Sequence, residues 1–323
     1  MHLNRRTLLA GTALAASAGI LPAAPTASAT ETRSEQLAGA GALRQKIGAV
    51  SVTALLDGYL DVSADLILGH DPQIAENLAK AAFQAPGPQR IPVNAFLLET
   101  QGKRILIDAG TGDALGPTLG RLDASLALAG YAPDDIDILA ITHLHPDHVS
   151  GAVGKDGRPL FANAEFVVSE TDHRFWQDDG RMNQAPEAVR GFFLGARAAT
   201  SAYADRLRLV SGGAEVAPGV TARALPGHTP GHTGYLIESG TESLLIWGDA
   251  IHVATYQFAR PDWGIAFDID PDEARQTRLR LLDEAASDRI AVTGMHLPFP
   301  GFGHVANEGD SYRFVPAEWP YAL

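Results

Sequence analysis

The segment Thr142-His143-Leu144-His145-Pro146-Asp147-His148 sets four metal-competent side chains within six residues, directly after the short apolar run 136–141. Burying such groups together without a cation costs about 2–7 kcal/mol for each polar group left unpaired. A fold that accommodates this string therefore gathers it around metal. On a strand end side chains alternate, so His143 and His145 point the same way. The chain then turns at Pro146, and Asp147 and His148 face a neighbouring point. One loop can serve two metal positions. Imidazole and carboxylate donors suit zinc, with iron, manganese or cobalt as alternatives. The chain has no cysteine, which excludes a thiolate site and a disulfide framework.

The first thirty residues do not read as part of this fold. Arg5-Arg6, an apolar Ala-rich stretch over 7–21 and Ala27-Ser28-Ala29 have the layout of a secretory signal. Asn4-Arg5-Arg6-Thr7-Leu8-Leu9 resembles a twin-arginine export signal. Pro22 and Pro25 end the apolar run too soon for a membrane anchor. The expected organisation is a signal over 1–29 and one domain over 30–323, exported to the periplasm or secreted. Net charge is −13, and the signal carries two of the arginines and no acid, leaving −15 on the mature chain. That excess argues against nucleic acid and anionic membranes as partners. No apolar stretch after the signal is long enough to span a bilayer.

Residues 30–46 read as a loose arm with a helical tendency. Strands are expected at 47–56, 93–99, 104–108, 136–141, 164–169, 219–225, 233–238, 243–248 and 290–294, with Asp57-Gly58 and Gly102 as turns. Helices are expected at 121–130, 170–179, 191–203 and 271–286. Mixed strands with interspersed helices imply sheets whose outer faces are covered by helices.

Further strings follow at a distance. They are Ile107-Asp108-Ala109-Gly110, Gly227-His228-Thr229-Pro230-Gly231-His232, Gly248-Asp249, and His296 after the strand at 290–294. In this order, from about residue 47 to the C-terminus, the chain resembles the metallo-β-lactamase-fold hydrolases. The resemblance implies an α/β fold, an αββα sandwich of two mixed sheets flanked by helices. It implies two divalent metal ions, one held by His143, His145 and His228 and the other by Asp147, His148 and His296, with Asp249 shared and a hydroxide between them. Asp108 would support the metal loop, and Asp147 would also orient the nucleophile or pass a proton to the leaving group. His232 reads as a brace for the His228 loop, while His70, His173 and His304 read as surface or packing residues.

Asp249 separates this chain from β-lactamases of the fold, which lack a bridging carboxylate. Gly116-Pro117-Thr118-Leu119-Gly120-Arg121-Leu122, Phe175-Trp176, Gly191-Phe192-Phe193, Phe299-Pro300-Gly301-Phe302-Gly303-His304 and Tyr312-Arg313-Phe314-Val315-Pro316 resemble the methyl parathion hydrolase-like subgroup. In that subgroup His252, with Ile265 and Phe267, resembles the lactone-cleaving members, so His252 is expected to act with Asp147. Trp176, Phe192, Phe193, Phe267 and Phe302 are expected to wall an apolar pocket for a small neutral lactone or aryl ester. Arg90, Arg181 and Arg260 are too scattered to form an anion site. The alternatives are an organophosphate phosphotriesterase and, in another class, a metal-binding protein without catalysis. The subgroup resemblance also implies a homodimer.

Overall fold

A computed structural model describes residues 41–318. The expected signal over 1–29 lies outside them. The first eight strands are β1 (Ala42–Ile47), β2 (Val50–Val62), β3 (Ile67–Leu68), β4 (Gln89–Thr100), β5 (Lys103–Ile107), β6 (Ile138–Ala140), β7 (Glu165–Ser169) and β8 (Leu207–Val210). All but β3 form one sheet in the order β1-β2-β4-β5-β6-β7-β8, antiparallel as far as β5 and parallel beyond it. The second half supplies β9 (Glu215–Ala217), β10 (Val220–Ala224), β11 (Thr233–Ser239), β12 (Glu242–Ile246), β13 (Gly264–Ile265), β14 (Ala291–Thr293), β15 (Gly303–Asn307) and β16 (Tyr312–Pro316). Its sheet runs β16-β15-β14-β12-β11-β10-β9, with β12 and β14 parallel, while β13 pairs with β3 in a two-stranded ribbon.

Alternation along the strands sorts side chains into layers. Ile105 and Ile107 of β5, with Phe96 and Leu98 of β4, meet Tyr235, Ile237, Leu244 and Ile246 between the two sheets. Leu106 and Leu97 point the other way, into a core with residues of three helices. Those helices are α2 (Leu122–Leu128), α4 (Glu170–Trp176) and α6 (Glu187–Ala202). Leu245 and Val292 likewise face Leu281, Leu282 and Ala285 of α8 (Pro271–Ser287). Burial on both faces is why these strands read as unbroken apolar runs. The layers are helix, sheet, sheet, helix. The other α-helices among the described residues are α1 (Pro72–Ala81), α3 (Pro146–Val149), α5 (Asp179–Gln184) and α7 (Ala254–Gln257). No helix among the described residues is long and apolar enough to cross a membrane.

The expected arm over 30–46 is corrected where it is described, because its end forms β1. Ala, Leu, Arg, Gln and Lys favour helix intrinsically, but a turn at Gly48 (φ +55°) folds this stretch back onto β2, whose ladder then decides. Asp57-Gly58 is not a turn between strands but a bulge inside β2. There the buried Asp57 carboxylate accepts from the backbone N–H groups of Thr111, Gly120 and Leu122 and from the Thr111 hydroxyl, at 2.8–3.2 Å. Gly58 (φ +148°) is required beside it, since a Cβ there would lie 2.1 Å from the Thr118 carbonyl. The α1 helix, whose Asp71 cap accepts from Ile74 N–H, and the β15–β16 hairpin were not expected from the sequence.

Asp57→Ala strands three backbone donors and one hydroxyl in the interior. Urea unfolding should show a loss of about 3 kcal/mol or more. A loss below about 1 kcal/mol contradicts this account of the bulge.

Candidate metal centre

The site forms where chains leave the sheets at the carboxyl ends of β5, β6, β12 and β14, and of β10. Asp108 follows β5 at φ +62°, a left-handed conformation that Asp tolerates better than most residues. Its N–H donates to Ala140 O, and its carboxylate accepts from Thr142 N–H at 2.7 Å and the Thr142 hydroxyl at 2.8 Å. Oδ2 of Asp108 lies 2.7 Å from His148 Nδ1 and so turns the other ring nitrogen, Nε2, towards Asp147 and Asp249. His145 is the residue before α3 and Pro146 opens that helix, which carries Asp147 and His148 round to the second position.

Other buried groups fix the remaining loops. Asp172 of α4 accepts from Leu144 N–H, Gly231 N–H and the Trp176 indole, linking the two histidine loops. His232 Nδ1 donates to Leu225 O, while its Nε2 accepts from Asp249 N–H at 2.9 Å. Gly248 (φ +59°) allows that approach, since a Cβ would lie 2.3 Å from His232 Nε2. His228 Nδ1 is held by Asp268 at 2.8 Å, and His296 Nδ1 donates to Pro92 O of β4. Asn94, also on β4, donates to Gly294 O and Leu297 O and clamps the His296 loop. Buried Arg278 donates to the carbonyls of Ala250, Pro261 and Trp263, pinning the loop that follows Asp249.

Against this frame the donors converge. His143, His145 and His228 form one metal-competent group, and Asp147, His148, Asp249 and His296 form another. Asp249 Oδ2 is the common point, 3.1 Å from His296 Nε2, 3.2 Å from His148 Nε2 and 3.4 Å from His228 Nε2. Asp147 Oδ2 lies 3.3 Å from His148 Nε2 and 3.4 Å from His296 Nε2, and the Nε2 atoms of His228 and His143 are 3.1 Å apart. Zinc bonds of about 2.0–2.2 Å place tetrahedral donors on the order of 3.3 Å apart. The spacings fit cations, and the buried His148 Nε2 and Asp249 Oδ1 have no hydrogen-bond partner.

Electrostatics divides the two groups. Burial, then the charge of His148, pushes the His143 imidazole well below its ordinary value, and burial with His228 does the same at His145. These rings offer lone pairs. Burial also opposes charge at His148 and His296, but Asp249 and Asp147 prevail. They hold His148 well above the usual range and raise His296 to about 10. The acid-bearing group therefore calls for positive charge, as a divalent ion supplies it.

All seven expected ligands come together. The expected pocket is corrected in part. Phe192, His252, Ile265 and Phe267 line a cavity of about 200 Å³ beside the ligands. Trp176 and Phe193 instead belong to the core under α4 and α6, because the indole N–H is needed by Asp172. Phe302 packs on Phe96 between the sheets. The remaining wall is Leu60, Val62, Ile91, Leu115 and Pro146. The first three lie on β2 and β4 but outside the strands expected at 47–56 and 93–99, because both strands run further than their apolar runs indicate. Asp172 and Asp268 belong to the site without having been expected there, and only Asp268, an acid inside the apolar string Trp263-Gly264-Ile265-Ala266-Phe267-Asp268-Ile269, carries a sequence sign of burial. His70 stands edge-on to Trp263, and His304 is exposed. His173 lines a separate surface hollow away from the metal-bearing loops. Arg90 and Arg260 are engaged by Asp61 and Asp262, and Arg181 lies near Asp178 and over Phe175.

Fold and site together define a metal-binding αββα protein. The chain belongs to the metallo-beta-lactamase superfamily, whose family model matches residues 88–308. It is similar to the N-acyl homoserine lactonase AiiA of Bacillus thuringiensis subsp. kurstaki, with 25% identity over 247 residues covering 70% of this chain and 86% of the relative. Among solved structures it is similar to the hydrolase AbOPH of the beta lactamase superfamily, at 34% identity and a TM-score of 0.82, covering 87% of this chain and 99% of that one. It is also similar to AidC, a dizinc quorum-quenching lactonase solved with a product, at 28% identity and a TM-score of 0.81, covering 87% and 98%.

Removing the carboxylate that orients His148 should loosen metal binding without removing a ligand. Asp108→Ala is expected to weaken divalent-ion affinity by about 10–100-fold in competition with a chromogenic chelator. Unchanged affinity contradicts the role given to Asp108.

Proposed function

We propose that the protein is a metal-dependent hydrolase that opens lactones and cleaves aryl esters, using two zinc ions. The observation that carries this reading is the cavity wall beside the ligands. Leu60, Val62, Ile91, Leu115, Phe192, Ile265 and Phe267 are apolar, and no Lys or Arg lines it among the described residues. An anionic substrate would find no counter-charge there beyond the metal site, whereas a neutral ester with an apolar substituent is desolvated at little cost. The similarity to lactonases supports the same bond type.

When bound, two zinc ions would acidify water to a nucleophile near neutral pH and polarise the substrate carbonyl. The chain's own residues do the rest. Asp147 lines the cavity with its carboxylate still partly exposed, and His148 and His296 hold it ionised against the opposing effect of burial. It is therefore placed to accept the proton of the attacking water and to return it to the leaving alkoxide or phenoxide. Phe192, whose ring stands 5.5 Å from that of His145, and Phe267 confine the substituent so that the carbonyl faces the ligand loops. The export-like N-terminal string supports a periplasmic or secreted setting.

The same neutral wall would admit a phosphotriester, so one parallel assay decides between the readings. Zinc-loaded protein is offered dihydrocoumarin, an N-acyl homoserine lactone and a neutral phosphotriester, with and without chelator. Lactone opening should be fastest, vanish with chelator and return with zinc. Opening of no lactone or aryl ester, or activity indifferent to chelator, contradicts the proposal. Phe192→Ala should raise KM for the preferred lactone roughly tenfold with a smaller change in kcat.

A further inference from the structure

The seven ligands leave one imidazole in the same space unexplained. His252 follows Asp249 by three residues and is almost fully buried, yet neither of its ring nitrogens has a hydrogen-bond partner. Buried polar atoms without partners are uncommon and costly. The backbone makes the placement deliberate. Gln257 Oε1 accepts from the N–H groups of both His252 and Val253, and Gln257 Nε2 donates to Trp263 O, which also accepts from Arg278. The ring is stacked on His296 with centroids 5.2 Å apart, and its Nε2 lies 3.2 Å from Asp249 Oδ2.

That last spacing matches the 3.1–3.4 Å separating Asp249 Oδ2 from the Nε2 atoms of His296, His148 and His228. His228, Asp249 and His252 also form a third metal-competent group, sharing two members with the sets already described. Relative to the shared carboxylate oxygen, His252 therefore stands where a ligand stands.

We propose that His252 is an eighth ligand, binding through Nε2 the divalent ion that His228 holds. This rests on the reading of the site as a zinc centre and extends it. The ion on the His143, His145 and His228 side would gain a fourth imidazole besides the shared Asp249, making that side the tighter and more nitrogen-rich of the two. Engagement through Nε2 would satisfy one of the two orphaned ring nitrogens, and it closes one open position to solvent. The same ring then sets how much room a substrate oxygen has beside that ion, linking residue 252 to substrate choice through coordination.

The test measures zinc affinity and coordination in the wild-type protein, His252→Phe and His252→Gln. His252→Phe keeps a planar ring on His296 and removes the donor, while His252→Gln restores an oxygen or nitrogen donor if the bulkier ring does not fold. Competition with a chromogenic chelator should show one of two zinc ions weakened at least tenfold in His252→Phe and the other unchanged. In the cobalt-substituted protein, ring N–H resonances shifted by the metal should fall by one set, with the others in place. Folded variants that keep both affinities and every shifted resonance overturn the proposal. Wild-type protein that binds no zinc overturns the zinc reading itself, a separate outcome.

Discussion

Four imidazole nitrogens, those of His148, His228, His252 and His296, crowd within 3.4 Å of a single carboxylate oxygen on Asp249, and His143 stands 3.8 Å away. Such a gathering is unfavourable in a dry interior unless positive charge joins it. The requirement propagates outward. Each ring must present one nitrogen inward, and for three of them the fold engages the other nitrogen, with Asp108 for His148, Asp268 for His228 and Pro92 O for His296. Asp249 is itself positioned through His232, which accepts its N–H.

Two sheets are needed because no single one can reach every ligand. His143, His145, Asp147 and His148 leave the first sheet after β6, whereas His228, Asp249 and His296 leave the second after β10, β12 and β14. Contacts across the sandwich then hold the halves in register at the site. Asn94 and Pro92 of the first sheet grip the His296 loop of the second, Thr233 N–H donates to Thr142 O, and the Tyr235 hydroxyl donates to Ile141 O. Asp172, from a helix over the first sheet, reaches both histidine loops. The core between the sheets is thus part of the site's geometry, and rigid elements rather than loops carry the precision.

Much of this was legible in the sequence, for physical reasons that differ by residue. The ligands were visible because metal chemistry demands particular side chains at short spacing, and the strands that carry them were visible because burial on both faces makes apolar runs. What escaped depends on distant pairing. The stretch Ala42–Ile47 has helix-favouring residues and becomes a strand only through β2. Asp57 has the sequence of a turn and is instead a buried acceptor for a loop more than fifty residues away. Trp176 and Phe193 look like any pocket aromatic until Asp172 claims the indole. Conversely Leu60, Val62 and Ile91 fall outside the expected strands, and they line the cavity because β2 runs on to Val62 and β4 begins at Gln89.

The most direct test of the central claim is anomalous diffraction at the zinc edge from crystals grown with zinc. Two peaks about 3.5–4 Å apart are expected, one against His143, His145 and His228, the other against Asp147, His148 and His296, with Asp249 Oδ2 reaching both. A single peak, or peaks that leave Asp249 uncoordinated, would contradict it.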